Sequence, residues 1–121
     1  MARLTQTHTA FSTLYQVEIN ISAEPERVWK LLTTAQDFLR WNSTVTRVEG
    51  QIRDGERLRL HVPGSERVFT PVVSDVVPNE RMTWTGGLAP VFKGVRTFAL
   101  TACKDGSTDF RMQSYLRKMR R

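Results

Sequence analysis

Apolar and polar residues alternate from Tyr15 onward. Val17, Ile19 and Ile21 fall on one side and Glu18, Asn20 and Ser22 on the other, the period-2 pattern of a half-buried strand. Ser22-Ala23-Glu24-Pro25 ends it. Proline suits the first turn of a helix, and Glu24 and Glu26 suit its positive end. Val28, Leu31, Leu32 and Ala35 then recur at i, i+3, i+4 and i+7, one apolar helical stripe. This spacing predicts a helix over about 24–33 and a second short one over 35–40, closed by Trp41-Asn42. From Thr44 the strand period returns and persists. Strands are expected over Val45–Gly50, around Leu58, Leu60 and Val62, over Val68–Val77, around Met82 and Trp84, along Phe92, Gly94, Arg96, Phe98 and Leu100, and along Thr108, Phe110 and Met112. Pro71 marks an edge or a bulge within its strand. Asp54-Gly55, Pro63-Gly64, Pro78-Asn79 and Lys104–Ser107 supply turns, and Gly86–Pro90 a longer, flexible connection.

One strand, two short helices and six further strands joined by short turns predict an α+β fold, a meander of about seven antiparallel strands whose apolar face needs a cover. The 121 residues fit one domain over 13–121, after a flexible, patternless N-terminus over 1–12. No apolar run is long enough for a membrane span, and the opening residues lack an apolar signal core. With a single cysteine, Cys103, there is no internal disulfide, and the cytoplasm is the expected compartment. The net charge of +6 invites a nucleic-acid reading. Its distribution argues otherwise: Arg117, Lys118, Arg120 and Arg121 crowd the end, and the remainder holds 14 basic against 12 acidic residues. No basic stripe with interleaved aromatics is left, so nucleic acid is not an expected partner.

Chemistry-bearing motifs are sparse. CxxC, HExxH, a phosphate loop and a nucleophile elbow are all absent, and two histidines with one cysteine make poor metal-site material. No cofactor is expected. Arg96 stands out because it lies between Gly94 and Phe98 on an otherwise apolar face. There it binds a carboxylate, phosphate or enolate oxygen of a ligand, pairs with an acid such as Asp75, or lies near the open end of the sheet. His61 is a candidate general base by residue type, but it shares a polar face with Arg57 and Arg59, opposite Leu58 and Leu60, and that face reads as solvent.

The ordered set Ile19–Leu32, then Trp41-Asn42, then Pro78-Asn79-Glu80-Arg81-Met82-Thr83-Trp84, then Phe98-Ala99-Leu100 with Asp105-Gly106-Ser107-Thr108, resembles the START/Bet v 1-like (SRPBCC) superfamily. Within it, the chain is similar to the bacterial polyketide cyclase/dehydrase-like proteins over about 14–114. The resemblance implies a helix-grip fold: a curved antiparallel sheet around a cavity, with a long C-terminal helix as its closure. Here only Tyr115–Arg121 follow the last expected strand, about 10 Å of helix, so that helix is expected to be short or absent. The resemblance also places Phe38 and Trp41 at the cavity mouth, as ligand contacts or as core residues. It places Leu58, Leu60, Met82, Trp84, Phe92, Phe98, Phe110 and Met112 on the inward face with Arg96, as cavity wall or packed core. Left bare, such a face would exceed the apolar patch a soluble monomer shows. A second copy, giving a homodimer, is the first expected cover. A bound lipid-like ligand, a swapped element or inward collapse of the sheet are the others. The function implied is binding of a small hydrophobic or amphipathic molecule. The alternatives are a cyclase or dehydratase acting on an aromatic or polyketide-like substrate, which needs an acid/base pair not found in the sequence, and a protein-interaction module.

Overall fold

A computed structural model describes residues 3–8, 12–34, 47–61, 68–88 and 92–118. In chain order its elements are β1 (Arg3–His8), β2 (Ser12–Ile21), α1 (Pro25–Thr33), β3 (Arg47–Glu49), β4 (Arg59–His61), β5 (Val68–Phe69), β6 (Val72–Val77), β7 (Arg81–Leu88), β8 (Phe92–Ala102) and β9 (Thr108–Lys118). Six strands form one antiparallel sheet in the order β1-β2-β9-β8-β7-β6, and β3-β4-β5 form a second. The fold is α+β, a mostly antiparallel sheet with one short helix among the described residues, consistent with a helix-grip architecture. The helix expected over 35–40 lies outside the described residues.

Five expectations are corrected, each for a physical reason. The stretch over 1–12 is not patternless throughout, because Arg3–His8 pairs residue for residue with β2. Its sequence, RLTQTH, gave no alternation because none of its described side chains is buried: residues 3–7 are all exposed, and the strand is held by backbone bonds to the edge of β2. The strand expected over Val68–Val77 is split at Thr70-Pro71. Proline has no N–H for a ladder, and here it marks where the chain leaves the small sheet (β5 on β4) for the large one (β6 on β7). Gly86-Gly87-Leu88 is not a flexible connection but the end of β7, paired with Phe92–Gly94. A Cβ on Gly86 would stand 3.0 Å from Pro71 Cα, so this glycine serves close backbone approach, not mobility. Asp54-Gly55 does turn the chain, with Gly55 at φ +85°, but it sits in the link between β3 and β4 and does not close a tight hairpin. Finally, Tyr115–Lys118 continue β9 opposite Phe92–Val95, so the last strand runs past its expected end, through residues where the C-terminal helix was expected to be short or absent.

The helix begins at Pro25, and the amides of Arg27 and Val28 donate to Glu24 O. At its end Thr33 and Thr34 Oγ1 donate to the carbonyls of Trp29 and Lys30, while Thr34 is already extended. Val28 and Leu32, one turn apart, are the two helix residues that reach the core. They join Ile52, Leu58, Leu60, Val73, Met82, Trp84, Phe98, Leu100 and Phe110 in one cluster. The helix packs on β8. The segment 55–58 runs beside the start of β6, with Leu58 N donating to Pro71 O and Val73 N to Glu56 O, and this ties the small sheet to the large one. A buried hydroxyl fixes the entry to the helix: Thr108 is fully buried, and its Oγ1 donates to Ala23 O at 2.7 Å.

Candidate functional site

Directly paired residues of an antiparallel sheet point to one face, so register alone sorts the side chains. On the core-bearing face one row reads Val73–Trp84–Arg96–Ser114–Tyr15–Gln6 across β6, β7, β8, β9, β2 and β1. The next row toward the helix side reads Met82–Phe98–Met112–Val17–Leu4, and beyond it stand Leu100, Phe110 and Ile19. On the other side lie Gly86, Gly94 and Leu116. The Arg96 row is therefore the polar line on an otherwise apolar face, and it becomes polar at Arg96 itself.

Arg96 is half-buried, and loss of solvent around the guanidinium holds its pKa below the ordinary arginine value. Arginine remains charged at neutral pH all the same. Among the described residues no carboxylate pairs with it: the ion pairs are Arg53–Glu56, Arg59–Glu49, His61–Glu49 and Arg111–Glu18. Asp75, the partner weighed from sequence, is exposed in a β6 irregularity at φ 51°. Among the described residues Arg96 thus has no acidic partner, and it stands beside the open part of the face. Leaving a charge in such surroundings is costly.

The other predicted residues fall into three groups. Leu58, Leu60, Met82, Trp84, Phe98 and Phe110 are brought together and buried. Trp84 and Phe98 have ring centroids 5.0 Å apart, and Phe98 and Phe110 6.4 Å. The cover that this set was expected to need comes from the chain itself, because Val28 and Leu32 of α1 and Ile52 are packed in the same cluster. Met112 is half-buried at its margin. Phe92 opens β8 opposite Lys118, at a position whose side chain is outside the described set, and Phe38 and Trp41 lie outside the described residues. The apolar side chains that do remain exposed on this face are others: Leu4 (69%), Leu116 (44%), Tyr15 (41%) and Ile19 (36%). Ser114 and Tyr15, the neighbours of Arg96, were also missed from sequence. They become visible only when β9 is set in register between β8 and β2.

His61 Nε2 donates to Glu49 Oε1 at 3.0 Å, with Arg59 3.7 Å from the same carboxylate. This cluster stands on the face of the small sheet opposite Val48 and Leu60, away from Arg96. At the β8–β9 turn, Asn20 Nδ2 donates to Ser107 Oγ (3.0 Å) and Asp109 Oδ1 (2.9 Å), while Ser107 donates to Asp105 through both its hydroxyl (2.5 Å) and its amide (3.0 Å). Those bonds hold the Asp105 carboxyl below its usual pKa. They shape the turn. A cleft of about 410 Å³ at this end of the sheet is bordered by Glu18, Ile19, Asn20, Asp109, Phe110 and Arg111, with charges of both signs and no cluster of metal-binding side chains among the described residues.

The chain is similar in structure to MLL2253 from Mesorhizobium loti (TM-score 0.70, 27% identity, covering 88% of this chain and 77% of that one). It is also similar to CalU16 from Micromonospora echinospora (TM-score 0.71, 13% identity, 98% and 72%) and to the Aha1 dimer from Colwellia psychrerythraea (TM-score 0.65, 19% identity, 81% and 72%). The last two likenesses carry the fold alone. No curated protein matches the sequence. The model of the family described as "Polyketide cyclase / dehydrase and lipid transport" matches residues 12–119, nearly the whole described fold, and the chain belongs to that family, within the START/Bet v 1-like superfamily.

Proposed function

We propose that this chain holds a small hydrophobic or amphipathic molecule against the core-bearing face of the six-stranded sheet, at Arg96. The observation that carries the reading is the position of Arg96: a cation with no acidic partner among the described residues, where the closed core of Trp84 and Phe98 gives way to the exposed apolar side chains of Leu116, Tyr15 and Ile19. A binding site for such a molecule needs apolar walls and one or two orienting polar groups. The family description, which includes lipid transport, agrees with it. A cyclase or dehydratase needs a positioned acid and base. Among the described side chains of this face there is neither carboxylate nor imidazole, so the binding reading stands ahead. Native mass spectrometry of the purified protein tests it. The expected spectrum shows a reproducible added mass of a few hundred daltons that mild activation removes. A bare chain that also takes up no amphiphile on incubation would sink the reading.

A second reading, self-association, rests on the four exposed apolar side chains of the same face, in a fold that the Colwellia protein displays as a dimer. Sedimentation velocity over a concentration series should then show a dimer that the double change Leu4→Glu, Leu116→Glu disperses.

A further inference from the structure

We infer that the molecule held at Arg96 is a monoanion, a hydrophobic carboxylic acid whose carboxylate pairs with the guanidinium between Trp84 and Ser114 while its apolar body lies along Met112, Val17 and Ile19. This inference rests on the binding reading above and narrows it to one chemical class.

Three observations carry it. The first is charge. Among the described side chains of this face Arg96 bears the only formal charge, and no acid of the described chain pairs with it. A single buried cation is neutralised by a single anionic group. A phosphate monoester, carrying about −1.5 to −2 near pH 7, would leave uncompensated negative charge in the same place. The second is shape. Guanidinium and carboxylate are planar and meet through two parallel N–H···O bonds, a match that favours arginine over lysine for this task. Ser114, opposite Arg96 on β9, brings a hydroxyl to the same row, and Tyr15 brings a second one step further out. The third is direction. Burial falls along the row, from Val73 and Trp84, both fully enclosed, through half-buried Arg96 and Ser114, to Tyr15 at 41% exposure. The neighbouring row repeats this gradient from Met82 and Phe98 through Met112 and Val17 to Leu4. A molecule reaching Arg96 from the open side therefore passes over apolar side chains first and meets the charge at the closed end. That is the order in which the tail and head of an acid with its carboxylate inward would be arranged.

The test uses two probes that differ in one group: 11-(dansylamino)undecanoic acid and its methyl ester, titrated by fluorescence into the intact chain. The acid should bind about tenfold or more tightly than the ester, the span expected when a charge-assisted pair is gained. In Arg96→Met the two affinities should converge, with the ester unchanged within about twofold, while Arg96→Lys should retain part of the preference. An acid-to-ester ratio near one in the unmodified protein would overturn this inference and leave the binding reading intact. So would a preference that persists undiminished in Arg96→Met, or a dodecyl phosphate that displaces the acid probe far more strongly than dodecanoate does. Binding of neither probe would overturn the binding reading and this inference with it.

Discussion

The two halves of the core-bearing face share one sheet, one alternation and similar apolar content, yet they end in opposite states. Across β6, β7 and β8 the inward residues Val73, Met82, Trp84 and Phe98 are sealed. Across β9, β2 and β1 their row-mates Met112, Val17 and Leu4, or Ser114 and Tyr15, are progressively open. The strands do not account for the difference. Val28 and Leu32 of α1, with Ile52 and Leu58, lie in the cluster over the first half, and the helix packs on β8. Alternation therefore decides which face turns inward, and the placement of the cover decides how much of that face becomes core. Arg96 stands on the dividing line, close enough to the sealed half to lose solvent and close enough to the open half to be reached.

The sharpest way to break this comparison is to truncate one residue on each side. Phe98→Ala should cost about 3–5 kcal/mol of stability, transfer loss plus cavity, whereas Leu4→Ala should stay within about 0.5 kcal/mol, as for exposed positions. Urea unfolding reads both. A Leu4→Ala cost that approaches the Phe98 value and grows with protein concentration would show the open half to be covered by another copy. On the dividing line the sign should reverse. Arg96→Met should raise the stability of the ligand-free chain by about 1–3 kcal/mol, since it removes a charge that folding strips of water with no acidic partner among the described residues. Because arginine stays protonated in folded and unfolded chains alike, that gain should be constant from pH 5 to 9, and a gain that varies over this range would point to a titrating partner. The smallest effect belongs away from the face, at the β8–β9 turn. Asp105 has a folded pKa below its unfolded one, chiefly through the Ser107 hydroxyl. Its contribution is present above the unfolded carboxylate range and disappears as pH falls through the folded value. Ser107→Ala should therefore lower stability slightly at pH 7 and move the acid midpoint slightly upward, with the deficit fading as pH falls below the folded value. An unaltered acid midpoint would show that the hydroxyl bond does not matter to folding.

Sequence alone made the faces legible. Arg96, Phe98 and Leu100 were read correctly as one side of one strand because period 2 needs no tertiary knowledge, and the ordered strand–helix–strands pattern carried the family. Other features depend on neighbours that sequence does not name. β1 shows no pattern because it buries nothing and only completes an edge. Gly86 reads as a hinge unless one knows that Pro71 presses against it. Which apolar residues stay open was misjudged for the same reason: Leu58 and Leu60 are under cover, while Leu4, from a stretch read as loose, is not. In the site itself the charged centre was legible as a breach of alternation, and its polar companions Ser114 and Tyr15 were not, since they are neighbours only through the register of β9.

The bond from Thr108 Oγ1 to Ala23 O fastens the start of α1 to the start of β9, while at the far end the backbone is already extended at Thr34, and threonine hydroxyls bridge the last turn. The helix is thus a lever with its fulcrum at Ala23. Thr33 lies roughly 15 Å along it, so a swing of about 10° displaces that end by roughly 2–3 Å and the fulcrum not at all. Under the proposed binding, one rotation of that kind would admit guests of different girth and leave the sheet, with the charge set in it, where they are.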